Sequence, residues 1–245
     1  MCLLPFLMSK LGGMTRTSVK SLLGHRQVLV NKVVRTRHDT VVHPDDTVTV
    51  LTGKGNIELH HPKLRVLYED ADLIVVNKRE GLLTVAAHPG SRETTAMSIL
   101  KAYVHKQNPR NGIYVVHRLD RETSGVLVFA KSAELQHYMR EYWRELVTQR
   151  TYIAVAEGVL ETKEGTIRSW FTEDKQNAMV YSSPVDDGGA LAVTHYKVLR
   201  EGQPDQNGKQ YSLVELHLET GRTNQIRVHL ASKGHPVVGD RKYGH

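Results

Sequence analysis

The 245-residue chain predicts an α+β fold: a mixed, largely antiparallel sheet with flanking helices, preceded by a small α/β module. Three observations carry that expectation. Strand-like runs outnumber helical ones and often follow one another directly, which disfavours the strand–helix alternation of a doubly wound parallel sheet. Helical periodicity is confined to a few segments, the clearest being SAELQHYMREYWRELV. Residues 1–53 differ from the rest, crowding basic side chains between short apolar runs.

The elements follow in order. MCLLPFLMSKLGG lacks a basic leader and a clear small-residue cleavage site, and it is too short to span a membrane, so it reads as an amphipathic helix. TSVKSLL is a short helix, with Val19, Leu22 and Leu23 at helical spacing. QVLVNKVVR and DDTVTVL are short β-rich runs separated by the polar TRHDTVVHP. The glycine, proline and weak periodicity of GKGNIELHHPK place a linker at residues 54–63. LRVLYEDADLIVVNKREGLLT gives two strands, and LIVVNK is apolar enough to be buried on both faces. TTAMSILKAYVHKQ is a helix with Met97, Leu100 and Val104 on one side, and IYVVH and VLVFAK are strands. SAELQHYMREYWRELV predicts one long helix, capped by Ser132, with Leu135, Tyr138, Met139, Tyr142 and Leu146 as its buried stripe. RTYIAVAEGVL is a strand entering a turn, and YSLVELHLETG alternates with Val214, Leu216 and Leu218 facing one way. GRTNQIRVHLASKGHPVVGD is a loop and a short helix, which Gly234 ends and Pro236 keeps ended.

Thirty-three basic against 26 acidic residues leave a net charge of +7. A surplus of that sign suits a polyanionic partner, nucleic acid ahead of a membrane surface, with an otherwise ordinary basic enzyme as the alternative. Arg16, Lys20, Arg26 and Lys32 make residues 1–53 a candidate binder of the RNA backbone, weighed against a merely solvated charged face. Cys2 is the single cysteine, so no internal disulfide forms and a reducing cytoplasm is the expected compartment. No Cys/His cluster has zinc spacing, so no metal is expected, and no segment approaches transmembrane length.

HRLDRETSG, His117 to Gly125, lies between two strand-like runs. A turn there is served by Asp120, Ser124 and Gly125; it has no need of arginines on both sides of a lone carboxylate. Around it stand, in order, VVNK and GLLT, then RTYIAV, AVTHYKVL, LETGRTNQIRVHLA and GHPVVGDRKYG, together spanning roughly residues 66–244. This series resembles the RluA-type pseudouridine synthases, whose signature loop reads HRLD, two residues, then TSG. The basic first region resembles, less sharply, the S-four-type RNA-binding domain that many of them carry. The resemblance divides the chain into such a domain at 1–53, abbreviated at its first helix, the linker at 54–63, and a catalytic domain at 64–245. Two departures stand out. Asn224 occupies the place of a histidine in the family's TGRTHQIR, and the chain ends at DRKYGH, short of the further strand and HP-containing segment with which the family usually closes.

The resemblance implies isomerisation of uridine to pseudouridine in RNA, with neither metal nor organic cofactor. It implies Asp120 as the acting carboxylate; whether it attacks the anomeric carbon, adds to the ring or abstracts a sugar proton stays open. It implies Arg227 as the cation paired with Asp120, keeping it ionised in a closed pocket where desolvation would neutralise it. Tyr152 is implied as the pocket aromatic, able to stack on a flipped uracil or shuttle a proton, with a plain core tyrosine as the alternative. Arg118 and Arg121 are candidate holders of the flanking phosphates, and Arg121 a candidate wedge into the vacated stack. Arg222 is a candidate RNA contact, whereas His117 reads as a structural hydrogen-bonder. Large-subunit ribosomal RNA is the expected substrate, transfer RNA stays open, and a monomer without membrane association is expected. A rival reading is an inactive RNA-binding or ribosome-assembly protein of the same fold, which has no need of Asp120, Tyr152 and Arg227 together. A hydrolase acting on RNA or a nucleoside is disfavoured by the motif series.

Overall fold

The computed structural model describes residues 1–24, 27–51 and 59–244. It divides into two compact units, Met1–Arg140 and Glu141–His245.

In the first unit, α1 (Leu3–Lys10) and α2 (Arg16–Gly24) precede β1 (Val28–Val30), β2 (Val33–Val34) and β3 (Val48–Val50). The three strands pair antiparallel in the order β2-β1-β3. Both helices bury the residues that the apolar spacing selects. Leu3, Leu4 and Leu7 of α1 cluster with Val19 and Leu23 of α2, Val28, Val30 and Val42. Each such side chain contributes about 1.5–3 kcal/mol on leaving water. Asn31 and Lys32, at φ 53 and 66, join β1 to β2 as a two-residue turn with both residues left-handed. The Asn31 side chain donates to Asp46 Oδ1 (2.7 Å) and accepts from Thr47 N (2.9 Å), which ties the turn to the start of β3.

The same unit contains β4 (Leu64–Glu69), β5 (Leu73–Lys78), β6 (Tyr114–Val115) and β7 (Gly125–Ala130), antiparallel in the order β4-β5-β7-β6. The expectation that LIVVNK is buried on both faces is corrected. Ile74, Val76 and Lys78 are fully buried, while Leu73, Val75 and Asn77 are half-buried, the alternation of an antiparallel strand with one well-covered face. Helix α3 (Ala96–Gln107) starts at Thr95, whose hydroxyl accepts from Ser98 N while Ser98 Oγ accepts from Thr95 N. Its Leu100, Tyr103 and Val104 are buried, and Met97 is half-buried.

Ser132 caps α4 (Ala133–Glu141) as expected, accepting from Leu135 N at 3.1 Å. The single long helix is interrupted, however, at Tyr142 (φ −97, ψ 22), and α5 (Trp143–Leu146) follows as a separate turn. The expected stripe is also kept only in part, at Leu135 and Met139. Leu135, Met139, Trp143 and Val147, four residues apart, are half-buried, whereas Tyr138, Tyr142 and Leu146 are exposed. Gln136 Nε2 donates to Val115 O (2.8 Å) and sets which side of α4 faces β6. A helix apolar around so much of its circumference offers two adjacent stripes, and periodicity alone does not choose between them.

In the second unit, β8 (Thr151–Glu157), β9 (Glu164–Asp174), β10 (Met179–Ser183), β11 (Ala190–Glu201) and β12 (Tyr211–Leu218) form an antiparallel sheet in the order β10-β9-β11-β12-β8. In β12, Ser212, Val214 and Leu216 are buried and Leu218 is half-buried. Helix α6 (Gln225–Ser232) lies on this sheet, with Leu230 against Ala156, Val214 and Leu216, and Val228 against Phe171, Val180 and Ala192. It ends as predicted: Gly234 N donates to Ala231 O and His235 N to Leu230 O, with Gly234 at φ 79 where a side chain is disfavoured. The fold is α+β with antiparallel sheets; among the described residues, the one parallel pairing is the isolated bridge Leu83–Thr95. Among these residues, too, no helix is long and apolar enough to cross a membrane.

Candidate active site

Strand pairing builds the HRLDRETSG loop. The chain leaves β6, runs through residues 116–124 and returns as β7, whose Gly125 stands opposite Lys78 at the end of β5. Thr123 N donates to Asp120 O (3.2 Å), closing a turn that starts at the aspartate. Asp120 is half-buried, while Arg118 and Arg121 are exposed on the same loop. Arg121 forms a two-pronged ion pair with Glu93, Nη2 lying 3.0 Å from Oε2. An exposed pair of this kind is worth about 0–1 kcal/mol, so a phosphate can displace it at small cost. Val128 N donates to His117 Nε2 (3.1 Å), in keeping with its reading as a structural hydrogen-bonder.

Two residues that the sequence did not single out hold this loop. Thr84 Oγ1 donates to Leu119 O (2.7 Å) and accepts from Leu119 N (3.1 Å). Lys78 is fully buried, and its Nζ donates to Leu82 O (2.8 Å), Arg79 O (3.1 Å) and Arg121 O (3.2 Å). Burial pulls the ammonium down to about 8, opposed by the negative charges of Asp120, Glu122 and Glu80. Arg121 O also accepts from Gly81 N (2.8 Å), and Gly81 sits at φ 72, a backbone conformation in which a side chain is strained.

The second unit carries the other expected residues. Tyr152, on β8 opposite Leu216, is half-buried and packs against the cluster of Ala156, Val214, Leu216 and Leu230. Just before it, Arg150 Nη2 donates to Leu218 O (2.8 Å) and Glu219 O (2.7 Å), tying the start of β8 to the end of β12. Arg227, on α6, makes a bidentate pair with Asp240 (Nε–Oδ2 2.7 Å, Nη2–Oδ1 2.9 Å), and its Nη1 donates to Asn224 Oδ1 (3.0 Å). Its guanidinium carbon lies 5.2 Å from the Tyr243 ring centroid. Burial works to raise the Asp240 carboxyl, but the bonds from Arg227 and from the backbone amides of Lys242 and Tyr243 outweigh it and hold the group at about 2.

Asn224, in the place of the family's histidine, adopts φ 54, a conformation asparagine tolerates better than most residues, and its Nδ2 donates to Tyr243 Oη (3.0 Å). Arg222 is exposed, its Nε donating to Leu191 O (2.9 Å). Beneath α6, buried Gln225 donates to Val193 O and Thr194 Oγ1, and buried His229 bonds Thr194 Oγ1 (2.8 Å) and Ser169 Oγ (2.9 Å).

Of the basic residues in the first module, Arg16 and Lys20 sit one turn apart on α2 and are exposed, and Lys32 is exposed on the β1–β2 turn. Arg26 lies outside the described residues. Lys78, Thr84 and Asp240 all fall within the motif series as VVNK, GLLT and GDRKYG, so position was signalled where role was not. Among the described residues no group of His, Cys, Asp and Glu side chains is placed to hold a metal ion.

Residues 72–232, more than half of the chain, match the RNA pseudouridylate synthase family, and the chain belongs to that family. It is an enzyme that isomerises uridine to pseudouridine in RNA. It is 36% identical over 231 residues to an uncharacterized RNA pseudouridine synthase of Bacillus subtilis, YhcT, covering 92% of this chain and 73% of that one. To ribosomal large subunit pseudouridine synthase D of Haemophilus influenzae it is 37% identical over 205 residues, 81% of this chain and 58% of the relative. Human RNA Pseudouridylate Synthase Domain Containing 1 superposes with a TM-score of 0.58 at 26% identity, covering 74% of this chain and 70% of the human one.

Proposed function

We propose that the chain modifies specific uridines of large-subunit ribosomal RNA, acting in the cytoplasm on a base flipped out of its stack. In the isomerisation the C1′–N1 bond breaks, the uracil turns, and a C1′–C5 bond forms; the proton lost from C5 is matched by one gained at N1, so no co-reactant is consumed. Asp120 is the carboxylate that acts on the nucleotide, Arg227 the cation that offsets its charge, and Tyr152 the aromatic that receives the base. Arg118 and Arg121 take the flanking phosphates, with Arg222 as a further contact. Arg16, Lys20 and Lys32, together with Arg26, belong to an S-four-type RNA-binding module at residues 1–53.

One observation carries this reading: Asp120 sits on a loop braced at the residues on either side of it and edged by two exposed arginines. The rRNA assignment is further supported by relatives whose names specify the ribosomal large subunit. The test incubates ribosomal and transfer RNA with the protein and with Asp120→Asn, followed by digestion and nucleoside analysis. Pseudouridine in ribosomal RNA from the unaltered protein and none from Asp120→Asn is the expected result. RNA retention without product supports the binding-protein reading, free uracil a hydrolase, and product in transfer RNA alone rejects the ribosomal assignment.

A further inference from the structure

We infer that Thr84 is a positioning residue for Asp120: its buried hydroxyl grips both backbone groups of Leu119 and so fixes the peptide from which the carboxylate projects. The inference rests on the reading of Asp120 as the acting carboxylate.

Thr84 is 2% exposed, and its Oγ1 donates to Leu119 O (2.7 Å) while accepting from Leu119 N (3.1 Å). One hydroxyl thus does for Leu119 what a neighbouring strand ordinarily does, satisfying a donor and an acceptor at a residue that is itself buried. The grip is firm only if Thr84 is itself fixed, and it is. Ala96 N donates to Leu83 O (2.8 Å) and Met97 N to Thr84 O (3.1 Å), so the first amides of α3, which have no partner within the helix, anchor the threonine's own backbone. On the other side of Asp120, Arg121 O accepts from Gly81 N and Lys78 Nζ. Residues 78–84 therefore hold both neighbours of Asp120, and the freedom left to the carboxylate lies mainly in its own side-chain torsions. Catalysis is sensitive to this placement, since a displacement of about 1 Å can cost roughly 100-fold in rate.

Thr84→Val keeps the shape and removes both bonds. In this variant kcat should fall about 10- to 100-fold, with KM for RNA within about twofold of the unaltered protein, because the hydroxyl places the carboxylate and touches no RNA. Thr84→Ser, which restores the hydroxyl, should bring kcat back to within about threefold. A folded Thr84→Val protein with unchanged kcat overturns the inference, as does a Thr84→Ser protein as slow as Thr84→Val. Should Thr84→Val not fold, amide exchange in the unaltered protein decides. The Leu119 amide should exchange slowly, and exchange at the rate of an open loop overturns the inference. Asp120→Asn, measured alongside, separates the two failures. Retained activity there removes the reading of Asp120 itself, whereas an inactive Asp120→Asn with a fully active Thr84→Val removes only the role of Thr84.

Discussion

His229 is a titratable group kept neutral by its surroundings. It is fully buried, bonded through both ring nitrogens, and burial, followed by the charge of Lys233, pulls its pKa from 6.5 to about 4. The unfolded chain takes up this proton near 6.5 and the folded one does so only near 4. Between those values the unfolded state binds more protons, so the contribution is full above about 6.5 and is lost as pH falls towards 4, by up to about 3 kcal/mol. Urea unfolding at pH 7 and pH 5 checks this: the loss of stability should be smaller in His229→Gln than in the unaltered protein, and equal losses would reject it. Histidines of this kind are not legible in a sequence, because Ser169 and Thr194, the hydroxyls that satisfy the two ring nitrogens, lie 60 and 35 residues away. The role of Lys78, though not its motif, was hidden in part for the same reason. The lysine ends an apolar strand, and of the carbonyls that receive it only those of Arg79 and Leu82 are near in sequence, the third coming from Arg121. The HRLDRETSG loop was legible because its motif is local.

Among the elements, the β1–β2 hairpin carries a conflict between turn chemistry and residue choice. A two-residue turn with both residues at positive φ favours Asn-Gly, and the second position here is Lys32 at φ 66. A side chain in that conformation costs about 1–2 kcal/mol, part of which glycine returns through its greater freedom in the unfolded chain. Lys32→Gly should therefore stabilise the protein by about 0.5–1 kcal/mol, seen as a higher denaturant midpoint with unchanged slope. A lower midpoint would mean that the lysine side chain holds the turn. The elements differ in how much of themselves they disclosed. α1, α2, α3 and α6 were legible from spacing and caps. β9, β10 and β11 went unassigned, partly because two of their buried positions are Ser169 and Thr194, which break the apolar alternation. In the stripe after Ser132, Leu135 and Met139 were legible, whereas Trp143 and Val147 were missed, since Tyr138, Tyr142 and Leu146 keep the same four-residue period.

For the molecule as a whole, the net charge of +7 matters through where it is placed. On the proposed reading Asp120 and its flanking arginines serve the reaction, whereas Arg16, Lys20 and Lys32 are exposed on a module with its own apolar cluster, away in sequence from the HRLDRETSG loop. If these three meet RNA phosphates, each contact releases counterions and adds roughly 0.7–0.9 to the steepness with which log affinity falls against log salt. Replacing all three by glutamine should lower that slope by about 2 to 3 and raise KM for RNA at moderate salt, with kcat unchanged because no replaced group lies on the HRLDRETSG loop, where the chemistry is proposed. Filter binding across a salt series, run beside steady-state kinetics on the same RNA, reads both quantities. An unchanged slope would show that the module's charge faces water. A fall in kcat at constant KM would instead place these side chains in the chemistry, and the division of labour between a binding module and a reacting loop would be wrong.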